Sequence, residues 1–346
     1  MVQAAEAFKG RQLNDSEYEK AAILGWAIAF VSPVHYHSFP VFVTTCVQLH
    51  SYFLVTDNLV DQVAISHGKQ SWHCVEGVGL KAINDSLLLE GAVFQLVREH
   101  FRNEPCYVDL LELIHETRHP SFFRNPIPVR TITTLTDKYS RWASCAFSGT
   151  AELPIPDRYV SFHSFLHSRI YCARSQTPRS QRAAKIYKYA IYSYYLPMAL
   201  SMITCGFPVE KASLLDPSYY DYALDILLPL GEYAQIQAEY FDSCKGNLPK
   251  TRSWCFDTVR TSGTPEQLAT LETNFGKPDA TSQSHVRSVF ADAGIDTRYA
   301  QYSEDAYSRI SALIDALPEL CNPSGDAILR RAAFRSLLED IHDSEQ

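Results

Sequence analysis

Two aspartates four residues apart stand in the run YFLVTDNLVDQ, which covers residues 52–62. In a helix, side chains at this spacing share one face, so the carboxylates of Asp57 and Asp61 would point the same way. The two like charges repel unless a cation lies between them, and magnesium typically takes one or two carboxylates together with phosphate oxygens. The pair is therefore a candidate magnesium site, while a solvated acidic face is the commoner cause of this spacing alone.

A second acidic segment follows in GEYAQIQAEYFD, which covers residues 231–242. Glu239 and Asp242 are three residues apart in it, and Gln235 lies one helical turn before Glu239 on the same face. A second acidic helix that faces the first would complete a metal cage around a diphosphate. A capped or solvated helix end remains the alternative.

Three cations could bind an anion near these acids. Lys188 stands among apolar and aromatic residues in KIYKYAIYSYYLP, where a lysine either extends its ammonium group to solvent or holds an anion. Lys9 and Arg11 could bind phosphate, although simple solvation is the commoner state of exposed charges.

Helical periodicity must position these residues, and it dominates the chain without competing strand alternation. The predicted helices cover residues 16–26, 47–62, 82–102, 107–117, 183–205, 219–242, 267–275, 285–293, 306–317 and 326–342. Two atypical stretches, 29–46 and 118–182, interrupt the pattern and have no regular period. The sequence therefore predicts an all-α protein.

Composition excludes several classes of function. The net charge of −8 argues against a nucleic-acid partner, which would need a basic face. Prolines and histidines within residues 26–47 argue against a membrane span there. The nine cysteines form no CxxC pair, and residues 1–11 lack an apolar secretory core, so we expect reduced thiols in the cytoplasm. No phosphate-binding loop or hydrolase motif occurs.

Nine segments together resemble the farnesyl diphosphate synthase family of trans-isoprenyl diphosphate synthases, in its fungal and animal branch. In order they are LGW, YFLVTDNLVDQ, HGKQSWH, AINDSLLLEGAVFQL, LLELIHET, KYAIYSYYLPMALSM, LGEYAQIQAEYFD, TPEQLATLETNFGK and YSEDAYSRISALI. The resemblance covers nearly the whole chain apart from the two atypical stretches. It implies one isoprenoid synthase domain over residues 1–346, an all-α helical bundle around a central cavity, and a homodimer.

The resemblance also implies a reaction. Magnesium ions hold an allylic diphosphate, dimethylallyl or geranyl, between two aspartate-rich helices. The allylic diphosphate ionises, isopentenyl diphosphate attacks the resulting cation, and a proton is lost. The leaving diphosphate needs its charge neutralised, and the carbocation needs a dry apolar cavity.

The resemblance assigns roles to individual residues. It makes Asp57, Asp61 and Lys188 catalytic, and its metal ligands are Asp57, Asp61, Glu239 and Asp242. Its substrate-binding residues are Lys9, Arg11, His50, His67, Lys188, Tyr192, Gln235 and Lys250. Tyr52 and Phe53 would form the floor of the cavity and block tails beyond about fifteen carbons, because the rings would overlap another isoprene unit. The expected product is geranyl or farnesyl diphosphate.

Several positions depart from the family pattern. Asn58 replaces one acid of the first motif, and Ala238 replaces the first acid of the second, which removes a metal ligand. Ser66 and His67 stand where the family has two arginines, and neither clamps phosphate as arginine does. Two alternatives therefore stay open. In the first, the chain is a diverged paralogue with terpene cyclase-like chemistry or with no condensing activity. In the second, its atypical stretches are translated intron sequence.

Overall fold

The computed structural model describes residues 1–28, 52, 54–56, 58–59, 63–66, 69–118, 189–209, 218–244, 253–277 and 279–343. The α-helices of this part are α1 (Val2–Lys9), α2 (Asp15–Ile28), α3 (Lys81–Phe101), α4 (Tyr107–Arg118), α5 (Leu196–Thr204), α6 (Tyr219–Cys244), α7 (Trp254–Ser262), α8 (Pro265–Asn274), α9 (Ala280–Asp292), α10 (Ile295–Ala316) and α11 (Arg331–Asp343). The all-α prediction is confirmed. The atypical stretch 29–46, and all of 118–182 beyond its first residue, lie outside the described residues.

A short hairpin interrupts the helices. Strands β1 (Ile65–Ser66) and β2 (Lys69–Gln70) pair antiparallel, and a 3₁₀ turn at Trp72–Cys74 follows them. The sequence shows no hairpin signal here, because strands of two residues are too short to show alternation.

The predicted helix boundaries hold best where amphipathic runs are long, as in α3, α4 and α6. Two helices, α1 and α7, were not predicted. The last helix was predicted from residue 326, but α11 begins at Arg331. The preceding residues form a turn instead, in which the Asn322 amide nitrogen donates to Asp326 Oδ1 and its Oδ1 accepts the N–H of Ala327. These local bonds compete with the helix for the backbone.

Helix α6 is the central element. It runs through Pro229 and buries most of its length, contributing Leu227 and Leu230 to the main hydrophobic core and Ile236 and Tyr240 to a second core. The main core also takes residues from α1, α3, α4, α10 and α11, whereas the second core lies among α7, α8, α9 and α10. Helix α6 thus ties the two cores together and carries the second acidic segment.

A second long helix, residues 189–204, packs against α6. Its described part runs from residue 189, widens to a π turn at Ile191–Tyr195 and continues as α5. Gly231 of α6 faces Ala190 so closely that a Cβ added at Gly231 would lie 2.4 Å from the Ala190 Cβ. Only glycine permits this approach.

Within the described ranges, no helix is both long enough and apolar enough to cross a membrane.

Candidate active site

The second acidic segment lies near the end of α6, and its two acids have different surroundings. Asp242 and Ala238, four residues apart, are exposed, whereas Glu239 is only 5% exposed. The sequence predicted that Glu239 and Asp242 share a face. In the structure, the exposed face of α6 carries Asp242 and Ala238. Ala238 is the residue that stands in place of the first acid of the second motif.

The Glu239 carboxylate is held by two N–H donors. The side-chain amide of Gln235 donates to Oε1 at 3.1 Å, and the backbone N–H of Trp254 donates to Oε2 at 2.8 Å. Trp254 is the first residue of α7, where the backbone N–H has no partner inside its own helix. Glu239 therefore joins α7 to α6, a role that the sequence did not predict.

The close packing at Gly231 brings the helix of residues 189–204 beside the face of α6 that carries Gln235. Gln235 follows Gly231 by one turn and Glu239 by two, so all three share the side of α6 that faces the helix of residues 189–204. Tyr192 lies two residues after Ala190 on that helix and is half-buried. Its ring stacks edge-on against Tyr189, with centroids 6.1 Å apart. The predicted allylic-site residues that the structure describes thus come from two helices in direct contact.

A basic site forms separately, at the end of α1. Lys9 Nζ lies 2.6 Å from Glu17 Oε1, and the two terminal nitrogens of Arg11 bind the two Glu17 oxygens at 2.8 Å each. The hydrogen bond from Arg11, followed by that from Lys9, holds the pKa of Glu17 well below its usual range. The structure thus brings Lys9 and Arg11 together on one carboxylate.

Glu17 was missed by the sequence reasoning, although a signal was present. The backbone N–H of Glu17 donates to the Asn14 side-chain oxygen at 2.9 Å, and Glu17 Oε2 accepts the Asn14 N–H at 3.0 Å. This reciprocal pattern is a capping box with its usual spacing of three residues. The spacing predicts a helix start, but only the fold shows that the same carboxylate holds two cations.

Of the remaining predicted site residues, one lies in the hydrophobic core and the others lie outside the described residues. Tyr52 is 4% exposed and belongs to the main hydrophobic core. The side chains of the others lie outside the described residues: His50, Phe53, Asp57, Asp61, His67, Lys188 and Lys250.

The oxygen donors on α6 suit a hard divalent cation. Asp242 presents an exposed carboxylate, and the buried Glu239 carboxylate accepts hydrogen bonds from Gln235 and from the backbone of Trp254. Magnesium favours such oxygen ligands and usually keeps several waters. Among the described residues no group of three or more His, Cys, Asp or Glu side chains could close a site. A divalent cation bound here would need ligands in addition to these two side chains.

Comparison with known proteins gives a consistent assignment. Residues 1–121 match the model of the polyprenyl synthetase family. The chain is 33% identical to a farnesyl pyrophosphate synthase of Ganoderma lucidum over 358 residues, covering 100% of this chain and 84% of that protein. It is 33% identical to a Candida albicans farnesyl pyrophosphate synthase over 89% of this chain, and 28% identical to one from Schizosaccharomyces pombe over 99%. The shares of those two proteins covered are 74% and 83%.

Proposed function

Because the chain belongs to the farnesyl pyrophosphate synthase family of polyprenyl synthetases, we propose that it condenses isopentenyl diphosphate with dimethylallyl or geranyl diphosphate. The observation that carries this proposal is the alignment with the Ganoderma lucidum enzyme along the whole chain. The acidic end of α6 and the basic end of α1 supply the two kinds of chemistry that the reaction needs.

The allylic diphosphate would lie against the exposed face near the end of α6. Asp242 and Glu239 would hold magnesium there with Asp57 and Asp61, and Gln235, Tyr192 and Lys188 would contact the substrate. When bound, magnesium neutralises the charge that develops on the leaving diphosphate. The bond between Gln235 and Glu239 keeps both side chains in a fixed orientation before the substrate arrives.

Isopentenyl diphosphate would bind at the end of α1. Within the described ranges, Lys9 uses one of its three N–H donors, on Glu17, and Arg11 uses its terminal nitrogens on Glu17 and the Gln12 carbonyl but not its Nε. Glu17 fixes the positions of the two cations, which lowers the entropic cost of gathering them around an anion. His50, His67 and Lys250 are the further expected contacts to substrate diphosphate.

Tyr52 would limit the length of the product. Its burial in the main core means that the ring cannot move aside without displacing packed neighbours. With Phe53, it would stop the growing tail at ten to fifteen carbons, so we propose geranyl or farnesyl diphosphate as product.

We also propose that the protein works as a homodimer in the cytoplasm. The start of α3 exposes an apolar face formed by Leu80, Ile83, Leu87 and Leu88, and Trp72 lies exposed beside it. A contiguous apolar surface of this kind is typical of a subunit interface.

A second candidate function is supported by Ala238. It stands exposed on the face of Asp242, where a carboxylate would add a metal ligand. With fewer ligands the protein could still bind one diphosphate and ionise it without joining two substrates, as in terpene cyclase-like chemistry.

One assay separates the two functions. Purified protein is incubated with magnesium, radiolabelled isopentenyl diphosphate and either dimethylallyl or geranyl diphosphate. Labelled geranyl or farnesyl diphosphate supports the condensation. An unlabelled cyclic product without diphosphate supports the cyclase, and no product from either substrate refutes both.

A further inference from the structure

Arg330 lies against the residue that separates Lys9 from Arg11. Gly10 ends α1 with a φ of 63°, in the left-handed region. A Cβ added at Gly10 would lie 2.8 Å from Arg330 Nη2 and 3.3 Å from its Cζ. The guanidinium therefore rests directly on the glycine backbone, at a place where no larger residue would leave it room.

The Arg330 guanidinium has no counter-ion among the described residues. Within the part of the chain that the structure describes, no carboxylate oxygen lies within 4.0 Å of an Arg330 nitrogen, the limit for an ion pair. The buried Nε of Arg330 also has no hydrogen-bond partner there. A charged N–H that is buried without a partner carries a desolvation cost. An anion at this place would remove that cost.

The backbone around Arg330 is anchored to α1. The N–H of Ile328 donates to the carbonyl of Phe8 at 2.8 Å, and the N–H of Leu329 donates to the carbonyl of Leu320 at 2.9 Å. The side chain of Leu329 is fully buried. Arg330 is thus held against the basic site by the turn before α11, and its position does not depend on the guanidinium having a partner.

The charges at the basic site leave room for an anion. Lys9 and Arg11 share the carboxylate of Glu17, while the hydrogen bonds from Ser324 and Asn322, with a smaller contribution from Lys9, lower the pKa of Asp326. Arg330 adds a third cation beside Lys9 and Arg11. Among the described residues, Arg330 makes no ion pair and its buried Nε has no hydrogen-bond partner, so its charge is available for an anion.

We propose that Arg330 binds the diphosphate of isopentenyl diphosphate together with Lys9 and Arg11. This inference rests on the proposed function and adds a substrate-binding residue to it. The planar guanidinium presents parallel N–H donors that match two phosphate oxygens, and its fixed position on Gly10 sets the orientation of the diphosphate. Arg330 acts on binding of this substrate and not on ionisation of the allylic one.

The test compares Arg330→Gln with Arg331→Gln. Arg331 is the adjacent arginine, but its Nε donates to the Leu317 carbonyl at 2.8 Å. We expect Arg330→Gln to raise the KM for isopentenyl diphosphate by about 10- to 100-fold, the usual range for losing charge-assisted hydrogen bonds. The KM for geranyl diphosphate should stay unchanged, Arg330→Lys should recover part of the loss, and Arg331→Gln should behave as wild type. Equal KM values for isopentenyl diphosphate in wild type and Arg330→Gln would overturn the proposal.

Calorimetry without an allylic substrate keeps this test independent of turnover. Isopentenyl diphosphate and inorganic pyrophosphate are titrated separately into the wild type and both glutamine variants, with thermal melts to verify folding. Weaker binding by Arg330→Gln alone supports the role of Arg330, even if the wild type makes no condensation product and the proposed function fails. Binding that is equal in all three proteins, or absent from the wild type, refutes the role of Arg330.

Discussion

The contact between Gly231 and Ala190 gives the sharpest prediction from the fold. In the Gly231→Ala variant the new Cβ would lie 2.4 Å from the Ala190 Cβ and 2.5 Å from its Cα. These distances are about 1 Å shorter than an ordinary van der Waals contact. Because one of the contacting atoms belongs to the backbone, no side-chain rotation relieves the overlap, and the two helices must separate.

Two effects of opposite sign determine how much Gly231→Ala changes the free energy of unfolding. Alanine is more favourable than glycine inside a helix by about 1 kcal/mol. Overpacking a well-packed contact costs about 1–3 kcal/mol, and a clash with backbone belongs at the upper end. The overpacking term is the larger, so we expect the free energy of unfolding to fall by about 1–2 kcal/mol.

Gly91→Ala is the matched control. Gly91 lies in the interior of α3, is exposed, and has no atom within 4 Å of an added Cβ. Within the chain no contact opposes the helix preference there, so urea denaturation should show a gain of up to about 1 kcal/mol.

Gly231→Ala should also affect activity, because it displaces the helix of residues 189–204. Tyr192 lies on the helix of residues 189–204, and Gln235 follows Gly231 by one turn, so separating the helices displaces the proposed allylic site. We expect Gly231→Ala to lower kcat/KM for the allylic substrate. If Gly231→Ala and Gly91→Ala were equally stable and equally active, the close contact would not position the site.

Further predictions concern the acidic end of α6, the basic site and the floor of the cavity. Asp242→Asn should lower kcat by about 10²- to 10³-fold in a steady-state assay, as loss of a stabilising charge does, whereas Asp225→Asn, at an exposed position on the same helix, should not. Glu17→Gln should destabilise the protein at pH 7 and progressively less below pH 4.5, because ion pairing lowers the pKa of Glu17 in the folded state and its stabilisation is lost as the carboxylate is protonated. Denaturation at pH 7 and pH 3 checks this, and an equal loss at both would contradict it. Tyr52→Ala should shift the product towards twenty carbons in chromatography and Tyr52→Phe should not; an unchanged product from Tyr52→Ala would remove the ring from chain-length control.

The sequence predicts the long helices because their hydrophobic periodicity is unbroken. It fails where the decisive interactions are distant in the chain or purely local. Helix α7 is short, and its first N–H is bound by Glu239, fifteen residues earlier. The start of α11 is displaced by the turn around Asn322, whose amide also donates to the distant carbonyl of Cys205 at 2.8 Å.

The candidate site likewise combines features that the sequence predicts with features that only the fold shows. Spacing alone places Gln235 and Glu239 on one face, and the structure adds that they bond to each other. Spacing cannot show that Glu239 is buried while Asp242 is exposed, because burial depends on where α7 packs. Nor can it bring Arg330 to Gly10, more than three hundred residues away in the chain.

The central claim is that carboxylates near the end of α6 hold an allylic diphosphate through a divalent metal. Calorimetric titration of geranyl diphosphate into the wild type and Asp242→Asn, with magnesium and with a chelator, tests it most directly. We expect magnesium to tighten binding at least tenfold in the wild type, the effect of about 1.4 kcal/mol, and much less in Asp242→Asn. Binding that is identical with and without magnesium, or unaffected by the substitution, would contradict the claim.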